Sequence, residues 1–224
     1  TLVQADPLHC TSSTAVSKSL PAFNNGVEYS VAFWTYVQNN ITSDKSMNVL
    51  STHGVQATID KNGKIKIVWK SATDDDDDDD DDKKKKKKKD DDKKKKKKVD
   101  KKPKNVLGST TVNYMPLQRW VHIMVVVKQF VVILYIDGEV YSVEQVESGK
   151  KVALPSAATT IGAPNGADVF VSRVVIYNYA ASVFEARRQQ GVGPVDNGLL
   201  GVLGIKSYKL QWPLVKTSDD ADVT

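Results

Sequence analysis

The chain has 224 residues, 40% of them hydrophobic and 8% aromatic, enough apolar material to bury a sizeable core in one large all-β domain or two small ones. Its single cysteine, Cys10, excludes an intramolecular disulfide and a Cys-rich zinc site. The formal charge of +5 is not a nucleic-acid signal, because residues 74–104 hold thirteen Asp and sixteen Lys, net +3, and the rest of the chain carries sixteen Lys and Arg against fourteen Asp and Glu, net +2.

Thr1 follows no basic-then-apolar leader, so the chain reads as a mature or trimmed piece of something longer, and an N-terminal anchor outside it stays open. Residues 1–20 read as an N-terminal extension. Asn24-Asn25-Gly26 marks a turn before an alternating strand from Tyr29 to Val37 that carries Phe33-Trp34. Short strands follow over Met47 to Thr52 and Val55 to Ile59. The turn Asp60-Lys61-Asn62-Gly63 leads into another over Ile65 to Lys70. Next come homopolymeric blocks, Asp74 to Asp82, Lys83 to Lys89, Asp90 to Asp92 and Lys93 to Lys98. With nothing apolar to bury, they read as a solvated insertion over 74–104. Blocks of opposite sign could also fold back as a charged hairpin or pair with a neighbouring subunit.

After the insertion, Ser109 to Tyr114 predicts a strand. Pro116 to Ser142 then specifies strand, short loop, strand, turn, strand. Trp120 to Lys128 and Phe130 to Ile136 are rich in Val, Ile and aromatics, and Asp137-Gly138 accepts the two positive φ angles of a type I′ turn. His122, Lys128 and Gln129 interrupt the apolar run, which leaves it short of the roughly 18 apolar residues of a membrane span. Thr159 to Ile161 and Val169 to Tyr177 complete the strands. Only Ser182 to Gln190 reads as helical, with Ser182 and Glu185 spaced as a capping box. About ten short strands and one short helix near the C-terminal end predict an antiparallel two-sheet jelly-roll sandwich. The domain is set at 21–190, with 191–224 as a C-terminal tail. The apolar residues of that tail between Gly198 and Lys216 either return as an edge strand or dock on a neighbour.

Taken in order, EYSVAFWTYV (Glu28 to Val37), PLQRWVHIMVVV (Pro116 to Val127), LYIDGEVYS (Leu134 to Ser142), TIGAP (Thr160 to Pro164) and DVFVSRVVIYNYAASVFEARR (Asp168 to Arg188) resemble the successive motifs of the laminin-G-like, concanavalin A-like jelly-roll family. The form PLQRWVH…LYIDG also resembles the version found in structural proteins of large icosahedral DNA viruses. The family resemblance implies a Ca²⁺ site at one rim, for which Asp44, Asn165 and Asp168 are the candidate ligands through hard oxygen atoms.

Read residue by residue, Trp34, Trp120 and Tyr135 are core packing on strands. His122 is a satisfied strand histidine, and His9 and His53 are isolated. Arg173 with Asp168 reads as an ordinary charge pair. No catalytic or cofactor-binding residue is assigned. Glu28, Glu139, Glu144, Glu147 and Glu185 lack the paired-carboxylate spacing of glycoside hydrolysis, no G-x-S-x-G is present, and the glycines form no phosphate-cradling loop. Asn40-Ile41-Thr42 is a glycosylation sequon.

A non-enzymatic structural or interaction module is therefore expected. The viral resemblance implies a minor capsid or virion-surface protein, located in the virion and contacting other capsid proteins. The alternative is an extracellular or cell-surface lectin-like domain that binds glycan at a loop rim, with or without Ca²⁺. With nearly all aromatics on strands, assembly is the expected use, and neither nucleic acid nor a membrane span enters it.

Overall fold

A computed structural model describes residues 1–20, 22–23, 28–39, 41, 46–72, 105–162 and 168–195. Strands β1 (Leu2–Gln4), β2 (Leu8–His9), β4 (Tyr29–Val37), β9 (Trp120–Lys128), β10 (Val131–Ile136), β11 (Glu139–Gln145) and β13 (Val169–Tyr177) form one sheet. Its order is β1-β13-β4-β9-β10-β11, and β2 also pairs with β13. Strands β3 (Thr14–Ser17), β5 (Met47–Ser51), β6 (Val55–Ile59), β7 (Ile65–Lys70), β8 (Val106–Val112) and β12 (Ala158–Ile161) form the second, in the order β3-β12-β5-β6-β7-β8. Every pairing within the two sheets is antiparallel, and the architecture is the two-sheet jelly-roll sandwich that the alternating pattern predicts.

Residues 1–20 are part of that sandwich. They supply β1 and β2 to the first sheet and β3 to the second, so the two sheets share a continuous N-terminal segment. The charged blocks, the turn at Asn24 and the tail beyond Val195 lie outside the described residues.

Because successive strand side chains point to opposite faces, each strand of the first sheet is two-sided. Val31, Phe33 and Val37 of β4, with Val121, Ile123, Val125 and Val127 of β9, enter the core between the sheets. They meet Val55, Ala57, Ile59, Ile65, Ile67 and Trp69 of the second sheet there. The intervening residues face outward. A second, smaller cluster on that outer face packs Ala32, Met124, Val126 and Tyr135 under Ala181 and Ala186. Ala186 belongs to α1 (Val183–Val192), whose start is fixed by reciprocal bonds between Ser182 and Glu185, the capping box that the spacing predicts.

The β10–β11 turn also follows its sequence. Asp137 and Gly138 have φ of 49° and 82°, as a type I′ turn demands. The Asp137 carboxylate adds a clamp: one oxygen accepts from the backbone N–H of His122 at 2.9 Å, the other from the Arg119 guanidinium at 3.0 Å.

Candidate functional site

The strand ladders place four rings in one line across the first sheet. His9 of β2 lies opposite Phe170 of β13, Phe170 opposite Tyr36 of β4, and Tyr36 opposite Trp120 of β9. All four lie on the face turned away from the core. His9 stacks on Phe170 with ring centres 4.4 Å apart and planes within 11°. Tyr36 meets Phe170 edge-on at 6.1 Å and Trp120 at 5.3 Å with a 45° tilt. Four adjacent strands make this row about 14 Å long at the usual spacing between strands.

Phe170, Tyr36 and Trp120 are half-buried, and His9 is exposed. The Tyr36 hydroxyl and the Trp120 indole N–H make no hydrogen bond among the described residues. Such tips normally find a partner when a ring is buried, so two open ones on one row mark an amphipathic surface. Polar groups close both ends. At one, His9 Nε2 lies 2.8 Å from Asp168 Oδ1, and the Asn39 amide donates to Asp168 Oδ2. At the other stands the Arg119–Asp137 pair, with the Arg119 side chain mostly exposed. A cleft of about 290 Å³, lined by Val37, Ile41, Met115 and Leu117 among others, opens at the same end of the sandwich.

The next line inward is closed. Trp34 and His122 are 5% and 2% exposed and pack at 5.2 Å, on the outer face and not between the sheets. Ser172 completes the line and donates its hydroxyl to the carbonyls of Ala5 and Pro194. His122 is not the satisfied histidine that its strand position suggests: Nδ1 has no partner among the described residues. Burial pushes its pKa down from 6.5 to about 4, so the ring is held neutral.

Other expectations fare variously. Of the three tryptophan and tyrosine residues read as core packing, Tyr135 and Trp34 are buried on the outer face, and Trp120 is only half-buried. Asp168 is engaged by His9 and Asn39, whereas Arg173 stands at a β-bulge with φ of 48° and its Nε without a partner among the described residues. The expected Asp168–Arg173 pair does not form. Asp44, Asn165 and Asn40 lie outside the described residues, so of the three candidate Ca²⁺ ligands only Asp168 has a described position. No group of three or more His, Cys, Asp or Glu among the described residues could hold a metal ion. Glu139 pairs with Arg187, Glu147 with Lys150, and Glu185 caps the helix. Cys10 is buried, and desolvation pushes its thiol up to about 12, which leaves it a poor nucleophile.

His9 is the member of the row that sequence reasoning missed. It looks isolated because its partners Asp168 and Phe170 lie far away along the chain. Strand parity was the available signal for the rest, since Tyr36 and Trp120 differ in parity from the core residues Val37 and Val121.

No known family profile and no curated protein sequence matches the chain. The laminin-G-like and viral assignments therefore stand on the residue pattern alone. Solved structures do match. The receptor binding domain of botulinum neurotoxin D aligns over 84% of this chain with 14% identity and a TM-score of 0.56. The serotype D ligand binding domain in complex with N-acetylneuraminic acid also aligns over 84%, at 14% identity and a TM-score of 0.57. For the type G receptor binding domain the identity is 11% and the TM-score 0.53. The chain spans only 43 to 45% of these three chains. At such identities the likeness is one of fold.

Proposed function

We propose that this domain is a non-catalytic recognition module that holds a glycan along the row His9, Phe170, Tyr36 and Trp120. The observation that carries the reading is the pair of open polar tips, the Tyr36 hydroxyl and the Trp120 indole N–H, on half-buried rings flanked by Asp168, Asn39 and Arg119. A sugar offers C–H faces to aromatic rings and hydroxyls to polar tips, and such a strip supplies both. The concentration of aromatics on strands argued for assembly in the sequence; the row removes that argument, because strand aromatics on the outer face are available to a ligand.

The test is a glycan microarray probed with the parent chain and with the double variant Tyr36→Ala/Trp120→Ala. Binding by the parent should fall at least tenfold in the variant, about 1.4 kcal/mol, without loss of cooperative unfolding. Parent binding that survives the double substitution would sink this site.

Assembly is the second reading, favoured by β11. It is an edge strand with Val140, Tyr141 and Val143 exposed, and Phe130 exposed beside its far end. An apolar edge is a surface for strand addition. The virion-surface role belongs here and rests on the PLQRWVH…LYIDG resemblance. Concentration-dependent self-association without any glycan binding would favour it.

A further inference from the structure

The charges on the row say what kind of glycan it takes. Asp168 meets His9 through one oxygen and Asn39 through the other. Arg119 meets Asp137 at 3.0 Å, and the second Asp137 oxygen is held by the His122 backbone. Among the described residues, the basic side chains at the two ends of the row, His9 and Arg119, are thus each already matched by a carboxylate, and an acidic sugar lying along the four rings would meet no uncommitted cation at either end. Anion sites are built the other way, around an uncommitted Arg or Lys.

Hydroxyl recognition suits the same groups. A carboxylate has about four lone-pair positions, and Asp168 spends two of them on its neighbours. The Tyr36 hydroxyl donates and accepts, and the Trp120 indole N–H only donates. From one end to the other the strip therefore offers an acceptor, a donor–acceptor and a donor. Asp168 is also the single candidate Ca²⁺ ligand among the described residues, and its oxygens already have fixed hydrogen-bond donors. No group of three or more His, Cys, Asp or Glu among the described residues could hold a metal ion beside it.

Resting on the glycan reading above, we infer that the row binds a neutral oligosaccharide without Ca²⁺, with Asp168 as hydrogen-bond acceptor for sugar hydroxyls. Its length fits a short linear chain lying across β13, β4 and β9 in preference to a single terminal sugar.

The experiment measures affinity of the full chain for cellohexaose and chitohexaose as neutral probes, and for sialyllactose and a heparin octasaccharide as acidic ones. Each is measured with excess EDTA and with added CaCl₂. The expected result is binding of a neutral probe that EDTA leaves within twofold and that Asp168→Asn weakens at least fivefold. Tyr36→Phe keeps the ring and removes only the hydroxyl, so it should fold as the parent does and weaken the same probe several-fold. Binding abolished by EDTA, or confined to the acidic probes, would overturn this inference and leave the glycan reading standing. No binding to any of the four in either condition would overturn both.

Discussion

Phe33→Ala is expected to lower the unfolding free energy by about 3 to 5 kcal/mol, the usual loss for emptying a buried aromatic position. Trp120→Ala is expected to cost much less, although Trp120 is the larger side chain. The difference follows from strand parity. Phe33 is fully buried between the sheets, among residues contributed by both. Trp120 lies on the opposite face, half-buried at the end of the aromatic row, so its removal opens no enclosed cavity. Urea unfolding of the two variants measures both losses. Equal losses would return Trp120 to the core, where the sequence pattern alone had put it, and would remove the recognition strip.

The second large effect is acid sensitivity from His122. Its folded pKa is depressed to about 4, against 6.5 for the free side chain, because burial penalises the charged ring. Above pH 6.5 the ring is neutral in both states and contributes no pH dependence. Between about 6.5 and 4 the unfolded chain takes up a proton that the folded chain refuses, so stability falls as pH falls, by about 3 kcal/mol across the window. Below about 4 both states are protonated and the contribution levels off. His122→Leu removes this titration and the unpartnered Nδ1 together. Leaving a buried polar atom unpaired costs about 1 to 3 kcal/mol, so the variant should match or exceed the parent at pH 7 and show a flatter profile from pH 6.5 to 5. A parallel pH profile for the two proteins would mean that His122 is not the buried neutral base described.

Long strands were legible because their composition and pattern are local. The runs Tyr29 to Val37, Trp120 to Lys128 and Val169 to Tyr177 coincide with β4, β9 and β13. Strands β1 to β3 were not legible. They are two to four residues long, and their existence depends on distant partners in β13 and β12. The strand expected over Ser109 to Tyr114 begins earlier, at Val106, because Gly108 does not break it. Gly108 sits opposite Trp69, and a Cβ there would lie 2.5 Å from the indole, so the glycine makes room for a ring. Facing was the hardest part to read. Strand β9 is apolar on both sides, WVHIMVVVK, since one face fills the core and the other lies under α1. Only the neighbouring strands decide which side is which. For the same reason the row as a whole is not legible in the sequence: parity puts Tyr36 and Trp120 on the face opposite Val37 and Val121, but the four rings come from four strands and meet only in the ladder.

The most direct test of the row is the indole region of a ¹H–¹⁵N spectrum during titration with a neutral oligosaccharide such as cellohexaose. The account predicts that the Trp120 indole N–H resonance shifts with ligand concentration. The Trp69 resonance, from a side chain buried in the second sheet, should stay in place as the internal control. A saturable response that leaves Trp120 unmoved and maps instead to β11 would contradict the assignment of the recognition surface.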